Sequence, residues 1–164
     1  MKRIRGLNLI ELMIIAIIVT ILAAIAVPNF IQFMQRYRLV STVQSIYYNL
    51  QYARSEALKR ATTVYISFQT GSSWCYGINT GSTCTCTTPS GCNLGTYTTP
   101  SSQLTSLSLS GFTNFSFDSS RGTASSTGTI TLTVVGGTSS MGIDVGSLGN
   151  LQMCSNNISG YPAC

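Results

Sequence analysis

The sequence predicts an α+β protein in which one long N-terminal helix packs against a small antiparallel β domain. Three observations support this fold class. Residues 7–30 are almost continuously apolar, residues 39–57 carry an apolar stripe at helical spacing, and beyond residue 62 the pattern alternates with a period of two. We therefore expect a transmembrane half of the helix at 7–30, an amphipathic half at 31–60 and a β domain at 61–164.

The composition separates a membrane segment from a neutral body. Charged residues make up only 8% of the 164 residues, whereas Ser, Thr and Gly are abundant. A soluble domain carries about 25% charged residues. A chain of this length suits one domain with an appendage rather than two domains.

The net charge of +5 is concentrated near the N-terminus. Beyond residue 60 the chain holds only Arg121 against Asp118 and Asp144. Nucleic-acid binding requires clustered cations on the exposed body, so DNA is a disfavoured partner. Basic residues beside a first membrane helix instead mark its cytoplasmic side, and three of them precede the apolar run: Lys2, Arg3 and Arg5.

The apolar run at 7–30 is about long enough, at 1.5 Å per residue, to cross a hydrocarbon core of about 30 Å. No A-x-A cleavage site follows it, so removal by the ordinary signal peptidase is not expected. Glu11 lies near its start, where an ionised carboxylate costs several kcal/mol unless it is paired. A functional role is the favoured interpretation of Glu11, and snorkelling to the lipid headgroups is the alternative.

The amphipathic half of the helix has one apolar face, spaced alternately by four and three residues. We expect this face to pack against the β domain, with a membrane-surface helix as the alternative. Glu56 can pair with Arg60 four residues later. The face consists of Leu39, Val43, Ile46, Leu50, Ala53 and Ala57.

The β domain is predicted from alternating segments separated by Gly- and Ser-rich breaks, such as residues 71–73 and 136–138. We expect two antiparallel sheets laid on the helix. The apolar positions that define the strands are Val64, Ile66 and Phe68; Leu107 and Leu109; Phe115 and Phe117; Ile130, Leu132 and Val134; and Leu151 and Met153.

Six cysteines lie beyond the helix, and they favour disulfides over a metal site. The chain has no His, and the single residue between Cys84 and Cys86 does not match a zinc knuckle. Cys154 with Cys164 is the preferred pair because it would tie down the C-terminal tail. The pairing of Cys75, Cys84, Cys86 and Cys92 stays open, and residues 74–100 are expected to form a disulfide-stapled loop or hairpin.

An enzyme is not expected. The four acidic residues suggest no general acid–base pair, and no cysteine has a neighbourhood that would activate its thiolate. We therefore predict no catalytic residue, no cofactor and no metal.

The segment Lys2-Arg3-Ile4-Arg5-Gly6, followed by Leu7-Asn8-Leu9-Ile10-Glu11-Leu12, resembles the class III leader of type IV prepilins and type II secretion pseudopilins. The resemblance implies that residues 1–6 are a leader that prepilin peptidase removes between Gly6 and Leu7. It further implies N-methylation of Leu7, an assembly role for Glu11 and a helix kink at Pro28. The family usually has Phe and Thr after the cut, where this chain has Leu7 and Asn8.

Residues 51–60, which read QYARSEALKR, are similar to the helix signature of the GspH/FimT branch of this superfamily. Residues 117–132 resemble the central turn and strand of that branch, and residues 143–154 resemble its last strand pair. DNA-binding FimT-type proteins carry a Gly-Arg-x-Arg element near the end. The aligned stretch here is Gly149-Asn150-Leu151-Gln152, which lacks both arginines.

The resemblance implies a minor pilin or pseudopilin, an assembly subunit that initiates a type IV pilus or a type II secretion pseudopilus. The expected partners are other major and minor pilins or pseudopilins, prepilin peptidase, inner-membrane lipid and the assembly platform. The expected location is the bacterial inner membrane, with a cytoplasmic N-terminus and a periplasmic C-terminal domain, and then the filament. A FimT-like DNA-uptake pilin and a tethered periplasmic binding module with an uncut leader are the alternatives.

Overall fold

The computed structural model describes residues 9–88, 91–98 and 105–164. It divides into two compact units between Tyr37 and Arg38. We refer to the second unit, Arg38–Cys164, as the head. The elements are α1 (Leu9–Arg60), β1 (Val64–Gln69), β2 (Cys75–Thr80), β3 (Gly95–Thr98), β4 (Thr105–Ser110), β5 (Asn114–Phe117), β6 (Gly128–Val134), β7 (Ser140–Val145) and β8 (Leu151–Cys154).

Helix α1 contains no glycine, and basic residues complement its C-terminal end. Glu11 lies in the first turn, and Lys59 and Arg60 lie in the last. The helix ends where Ala61 adopts a left-handed conformation with φ of 49°. There the Ala61 amide donates to Leu58 O and the Thr62 amide donates to Ala57 O, which satisfies two terminal carbonyls.

The strands form two four-stranded antiparallel sheets. Sheet A has the order β3-β2-β1-β5, and sheet B has the order β4-β6-β7-β8. The side chains that face inward from both sheets share one core with the helix. The predicted α+β fold with two sheets is therefore confirmed.

All six apolar residues predicted for the packing face of the helix lie in this core, and each is at most 1% exposed. The strands contribute the largest remaining buried side chains. Apolar burial of this kind contributes about 25 cal/mol per Å² and is the main force that holds the helix to the sheets. The strand residues in this core include Ile66, Tyr76, Ile78, Phe117, Ile130, Leu132, Met141 and Ile143.

The predicted alternating segments correspond to β1, β4, β5, β6 and β8. Strand β7 begins at Ser140, three residues before the predicted strand pair, and β3 was not predicted. The expected alternation also breaks within β1. Ser67, expected to face solvent, is buried, whereas Phe68 is only partly buried. The reason is that the Cys84 amide donates to Ser67 Oγ, so the outer face of β1 is covered as well.

The segment that covers this outer face is stapled by two disulfides, Cys75–Cys86 and Cys84–Cys92. A Cβ on Gly77 would lie 2.2 Å from Cys92 Sγ, so the second disulfide packs directly on the backbone of β2. Strands β2 and β3 pair as a hairpin around this segment, which is the hairpin form of the predicted insert. Its residues 89–90 and 99–100 lie outside the described part of the chain.

The third disulfide joins Cys154 to Cys164, the pair that the sequence favours. Cys154 lies at the end of β8 opposite Gly142 of β7. A Cβ on Gly142 would lie 3.2 Å from Cys164 Sγ, so the chain end lies against the outer side of sheet B. The Ser155 amide also donates to Pro162 O, which closes the tail into a compact loop.

Candidate assembly surface and helix attachment

The N-terminal part of α1 presents an apolar surface. Its large apolar side chains between residues 9 and 33 are exposed by 48% at Ile15 to 73% at Leu9. The helix is long and apolar enough to cross a membrane, by length and composition. An apolar surface of this extent is stable only in apolar surroundings, which lipid or other helices can provide.

Glu11 is the only ionisable side chain between residues 9 and 35, and it is exposed in the first turn of α1. Within the described residues no basic group lies at ion-pair distance from it. The predicted cleavage residues Gly6 and Leu7 lie outside the described part of the chain. The helix runs through position 28, and the kink expected at Pro28 stays a prediction.

In the head, Arg54 attaches the helix to two connections of the β domain. Its Nε donates to Gly122 O at 3.0 Å, and its Nη2 donates to Leu148 O at 3.0 Å. The first carbonyl lies in the β5–β6 connection and the second in the β7–β8 turn. One planar guanidinium thus bridges two loops, which a single ammonium group would not do. The sequence placed Arg54 within the helix signature but did not reveal this contact.

Two glycines allow these loops to approach Arg54. Gly122 and Gly149 have φ of 64° and 71°, values that a residue with a side chain rarely adopts. A Cβ on Gly149 would lie 2.0 Å from Gly122 O, and a Cβ on Gly122 would lie 3.0 Å from Arg54 Nε. A side chain at either position would therefore displace the carbonyl that Arg54 binds.

The Gly122 carbonyl is held in place by the preceding turn. Asp118 Oδ2 accepts hydrogen bonds from the Ser120 side chain and amide and from the Arg121 amide. These bonds, the Ser120 side chain foremost, hold the pKa of Asp118 below its ordinary value. The Gly122 amide donates to Asp118 O and closes the turn. The segment that resembles the central turn of the branch thus has a structural role.

Glu56 is the other signature residue with a defined contact. Its side chain is only 6% exposed and pairs with Arg60, as predicted, and with Lys59 at 3.5 Å. The hydrogen bond from Arg60 holds the pKa of Glu56 below its ordinary value, against the opposing effect of burial. The two cations also lie in the last turn, where they complement the negative end of the helix.

The stretch aligned with the Gly-Arg-x-Arg element lies in the β7–β8 turn and the start of β8. Asn150 and Gln152, which occupy the two arginine positions, are both exposed. The surface at this turn is therefore neutral at the two aligned positions. Arg54, which contacts Leu148 O in this turn, has both Nε and Nη2 engaged by backbone carbonyls.

The six cysteines are all consumed in the three disulfides. Among the residues that the structure describes, no group of three or more His, Cys, Asp or Glu side chains is arranged to hold a metal ion. The cysteines therefore act here as covalent staples of the head.

Comparison with known proteins identifies the family. The profile described as "Type II transport protein GspH" matches residues 42–149, about two thirds of the chain. The chain belongs to the GspH family. It is also similar in structure to the crystal structure of the type IV minor pilin FimU of Pseudomonas aeruginosa, with a TM-score of 0.57 and 18% sequence identity. That match covers 74% of this chain and 91% of the FimU chain. A comparison with curated proteins finds no match.

The range matched by the GspH family profile covers most of the structural features described above. It starts at Thr42 in the amphipathic half of α1 and ends at Gly149, the turn residue that packs beside the Arg54 contact. The range thus contains the helix face from Val43 onward, the Arg54 contacts and most of both sheets. Membership in the GspH/FimT-type pilin superfamily is confirmed, and the likeness to FimU confirms the pilin fold. The chain is a minor pilin or pseudopilin by family.

Proposed function

We propose that this protein is an assembly subunit of a type IV pilus or of a type II secretion pseudopilus. The observation that carries the proposal is the exposed apolar surface of residues 9–33 with a single carboxylate, Glu11, at its start. Lipid accepts such a surface in the precursor, and a bundle of like helices accepts it in the filament. The pilin/pseudopilin family is one of structural proteins, so we expect no catalysis.

The first step of this function is removal of the leader. Prepilin peptidase cuts between Gly6 and Leu7, and the new amino terminus of Leu7 is N-methylated. The cut places a positive amine about one helical turn before Glu11. It also removes the basic residues of the leader from the part that enters the filament.

Glu11 then selects the register of the incoming subunit. Its carboxylate pairs with the Leu7 amine of a neighbouring subunit, in surroundings of low dielectric. Deleting one partner of a buried ion pair costs about 3–5 kcal/mol, so a misplaced subunit is disfavoured by a factor of more than roughly 100. The subunit's partners are therefore other major and minor pilins or pseudopilins, and a priming role follows the analogy with minor subunits of this branch.

The precursor spans the inner membrane once. The basic leader stays in the cytoplasm and the head lies in the periplasm, as the distribution of Lys and Arg indicates. Three disulfides in the head support an oxidising compartment. Membrane lipid, prepilin peptidase and the inner-membrane assembly platform are the partners at this stage.

Mass spectrometry of the N-terminus tests the processing step. We expect the protein purified from its native host to begin with N-methylated Leu7, and to retain residues 1–6 when prepilin peptidase is deleted. Recovery of the chain with Met1 to Gly6 attached in the presence of the peptidase would refute this step. The protein would then be a tethered periplasmic module.

Incorporation of Glu11→Gln into filaments tests the pairing. We expect sheared filaments to contain at least about tenfold less of this variant than of wild type, at equal membrane levels. Thr20→Val is the matched control, because it also removes a polar group from the exposed surface of α1, where Thr20 Oγ1 donates to Ile17 O. Equal incorporation of Glu11→Gln and wild type would contradict the role of the ion pair.

DNA uptake is the second candidate, and the neutral exposed Asn150 and Gln152 argue against it. We expect the full chain in zwitterionic lipid nanodiscs to give no DNA shift at low salt, where phosphate contacts are strongest. A salt-sensitive shift that is lost on Arg121→Gln would favour the uptake function instead.

Deletion of the gene distinguishes a type IV pilus from a type II secretion pseudopilus. Loss of twitching indicates a pilus, and loss of exoprotein secretion indicates a pseudopilus.

A further inference from the structure

A cleft of about 410 Å³ lies within the head, between α1 and the edge strand β3. Its base is formed by buried side chains of the helix and β2, namely Thr42, Ile46, Trp74 and Tyr76. Ser41 and Ser45 of the helix and Thr98 of β3 are exposed at its mouth. The volume falls within the range of about 300–1,000 Å³ that is usual for small-molecule sites.

Among the residues that the structure describes, none that lines the cleft carries a charge. A charged ligand would lose its hydration there without gaining a counter-charge, which excludes anions and cations as preferred ligands. The wall instead combines hydroxyl groups with the ring of Tyr97, which is partly exposed, whereas Trp74 and Tyr76 are only 3% and 2% exposed. Tyr76 stacks on Tyr97 with ring centroids 4.8 Å apart and on Trp74 at 6.4 Å, so the three rings form one aromatic row.

The aromatic row is rigidly held, so the cleft is formed before any ligand enters. The Tyr76 hydroxyl accepts a hydrogen bond from Asn49 Nδ2 at 2.7 Å, and Trp74 Nε1 donates to Thr105 Oγ1 at 3.2 Å. Rings anchored by their polar atoms lose little conformational entropy when a ligand binds. The Ser41 and Ser45 hydroxyls can each donate and accept at the mouth.

We propose that this cleft binds a neutral saccharide of one or two rings. A sugar ring offers an apolar C–H face to the partly exposed ring of Tyr97, and hydroxyl groups to the serines and to the backbone at the outer edge of β3. It carries no charge that the cleft would have to neutralise. The site is independent of the assembly function, because none of its lining residues belongs to the N-terminal surface of α1.

An extended peptide could also use the β3 edge, but the geometry favours the sugar. Strand β3 has only four residues, Gly95–Thr98, and in an antiparallel strand alternate residues direct their backbone groups to the same side. Only about two residues of β3 therefore face outward for a peptide to pair with.

The test uses the full chain in phospholipid nanodiscs, prepared without glycoside detergents because those would compete. Trp74 is the only tryptophan of the protein, so its fluorescence reports on the cleft alone. The probes are maltose, cellobiose, lactose and N,N′-diacetylchitobiose, with equilibrium dialysis to establish stoichiometry. We expect saturable binding of at least one disaccharide, one per chain, with a dissociation constant of about 1 mM or below.

The blocking variant is Ser45→Leu, which places a bulky side chain at the mouth. It should weaken disaccharide binding at least about tenfold, and its exposed helical position makes a loss of folding unexpected. Ser55→Leu is the matched control, since Ser55 is an equally exposed serine of α1 outside the cleft, and its binding should equal that of wild type.

Three results would overturn the proposal. The first is no binding of any of the four disaccharides up to about 50 mM. The second is undiminished binding by Ser45→Leu. The third is binding of the neutral peptide Gly-Thr-Tyr-Thr in place of the sugars, which would make the cleft a strand-addition site.

Discussion

Replacing Arg54 by Met removes the guanidinium that joins the helix to the β domain while it keeps a long side chain with a similar apolar stem. The variant loses the bond to Gly122 O, which is partly buried, and the bond to Leu148 O, which is exposed. Both loops then lose the only side-chain donor that the described residues provide for these two carbonyls.

The two bonds differ in their contribution to stability. A hydrogen bond from a charged group contributes about 1.5–3 kcal/mol when it is shielded from water, and less when it is exposed. We assign about 2 kcal/mol to the bond with Gly122 O and less than about 1 kcal/mol to the bond with Leu148 O. Arg54→Met should therefore destabilise the head by about 2–3 kcal/mol, which lowers its melting temperature by roughly 8–12 °C.

Thermal unfolding of the head is followed by the fluorescence of the single Trp74 in the full chain in nanodiscs. Arg54→Lys should lose about half as much stability as Arg54→Met, because an ammonium reaches only one of the two carbonyls. Arg38→Met is the matched control, since Arg38 is an exposed arginine of the same helix, and it should stay within about 0.5 kcal/mol of wild type.

The reasoning fails if Arg54→Met unfolds within about 0.5 kcal/mol of wild type, or if Arg38→Met costs as much. In the first case the two loops would be held by the surrounding core alone. In the second case the loss would come from the charge of the helix and not from the two carbonyls. The Lys variant distinguishes a geometric role from a purely electrostatic one.

Two further perturbations test the same attachment. The hydrogen bond from Arg60 lowers the folded-state pKa of Glu56 below its ordinary 4.5. The Glu56–Arg60 pair therefore contributes its full stabilisation to the head above pH 4.5, and this stabilisation is lost as the pH falls through the lowered pKa. The melting temperature of wild type should thus fall more steeply below about pH 4.5 than that of Glu56→Gln, and parallel curves would contradict this. Gly149→Ala should destabilise the head by more than about 3 kcal/mol in the same melts, since its Cβ would lie 2.0 Å from Gly122 O. Gly136→Ala has a similar φ and nothing within 4 Å, so it should cost only about 1–2 kcal/mol, and an equal loss at both sites would show that the contact is unimportant.

The helix face could be predicted from the sequence because burial on a helix imposes a strict period. Every position from Leu39 to Ala57 that the spacing selected is buried. The strands with alternating apolar residues could be placed for the same reason. Strand β3 could not, because Gly95-Thr96-Tyr97-Thr98 has a single apolar ring, and its pairing to β2 depends on a hairpin stapled by disulfides.

The contacts between distant loops carry almost no signal in one sequence. Arg54 is separated from Gly122 by 68 residues and from Leu148 by 94, and no local pattern connects them. The signature of residues 51–60 marked the segment as important without revealing why. The structure supplies the physical reason, since one residue of the signature binds two loops and another, Glu56, is a buried carboxylate paired in the last turns of the helix.

In the proposed function, the N-terminal surface of α1 and the head contribute differently to the recognition of neighbouring subunits. Apolar side chains leave lipid for a bundle of similar helices with little change in free energy, because lipid tails are as apolar as the side chains. The apolar side chains of residues 9–33 therefore favour neither lipid nor the helix bundle. By themselves they also favour no particular axial register between subunits. Within that surface only Glu11 carries a charge, and its pairing distinguishes one axial position from another. The remaining specificity for neighbouring subunits must then come from the head, so exchanging heads between GspH-family members should change the partners while Glu11 alone sets the axial register.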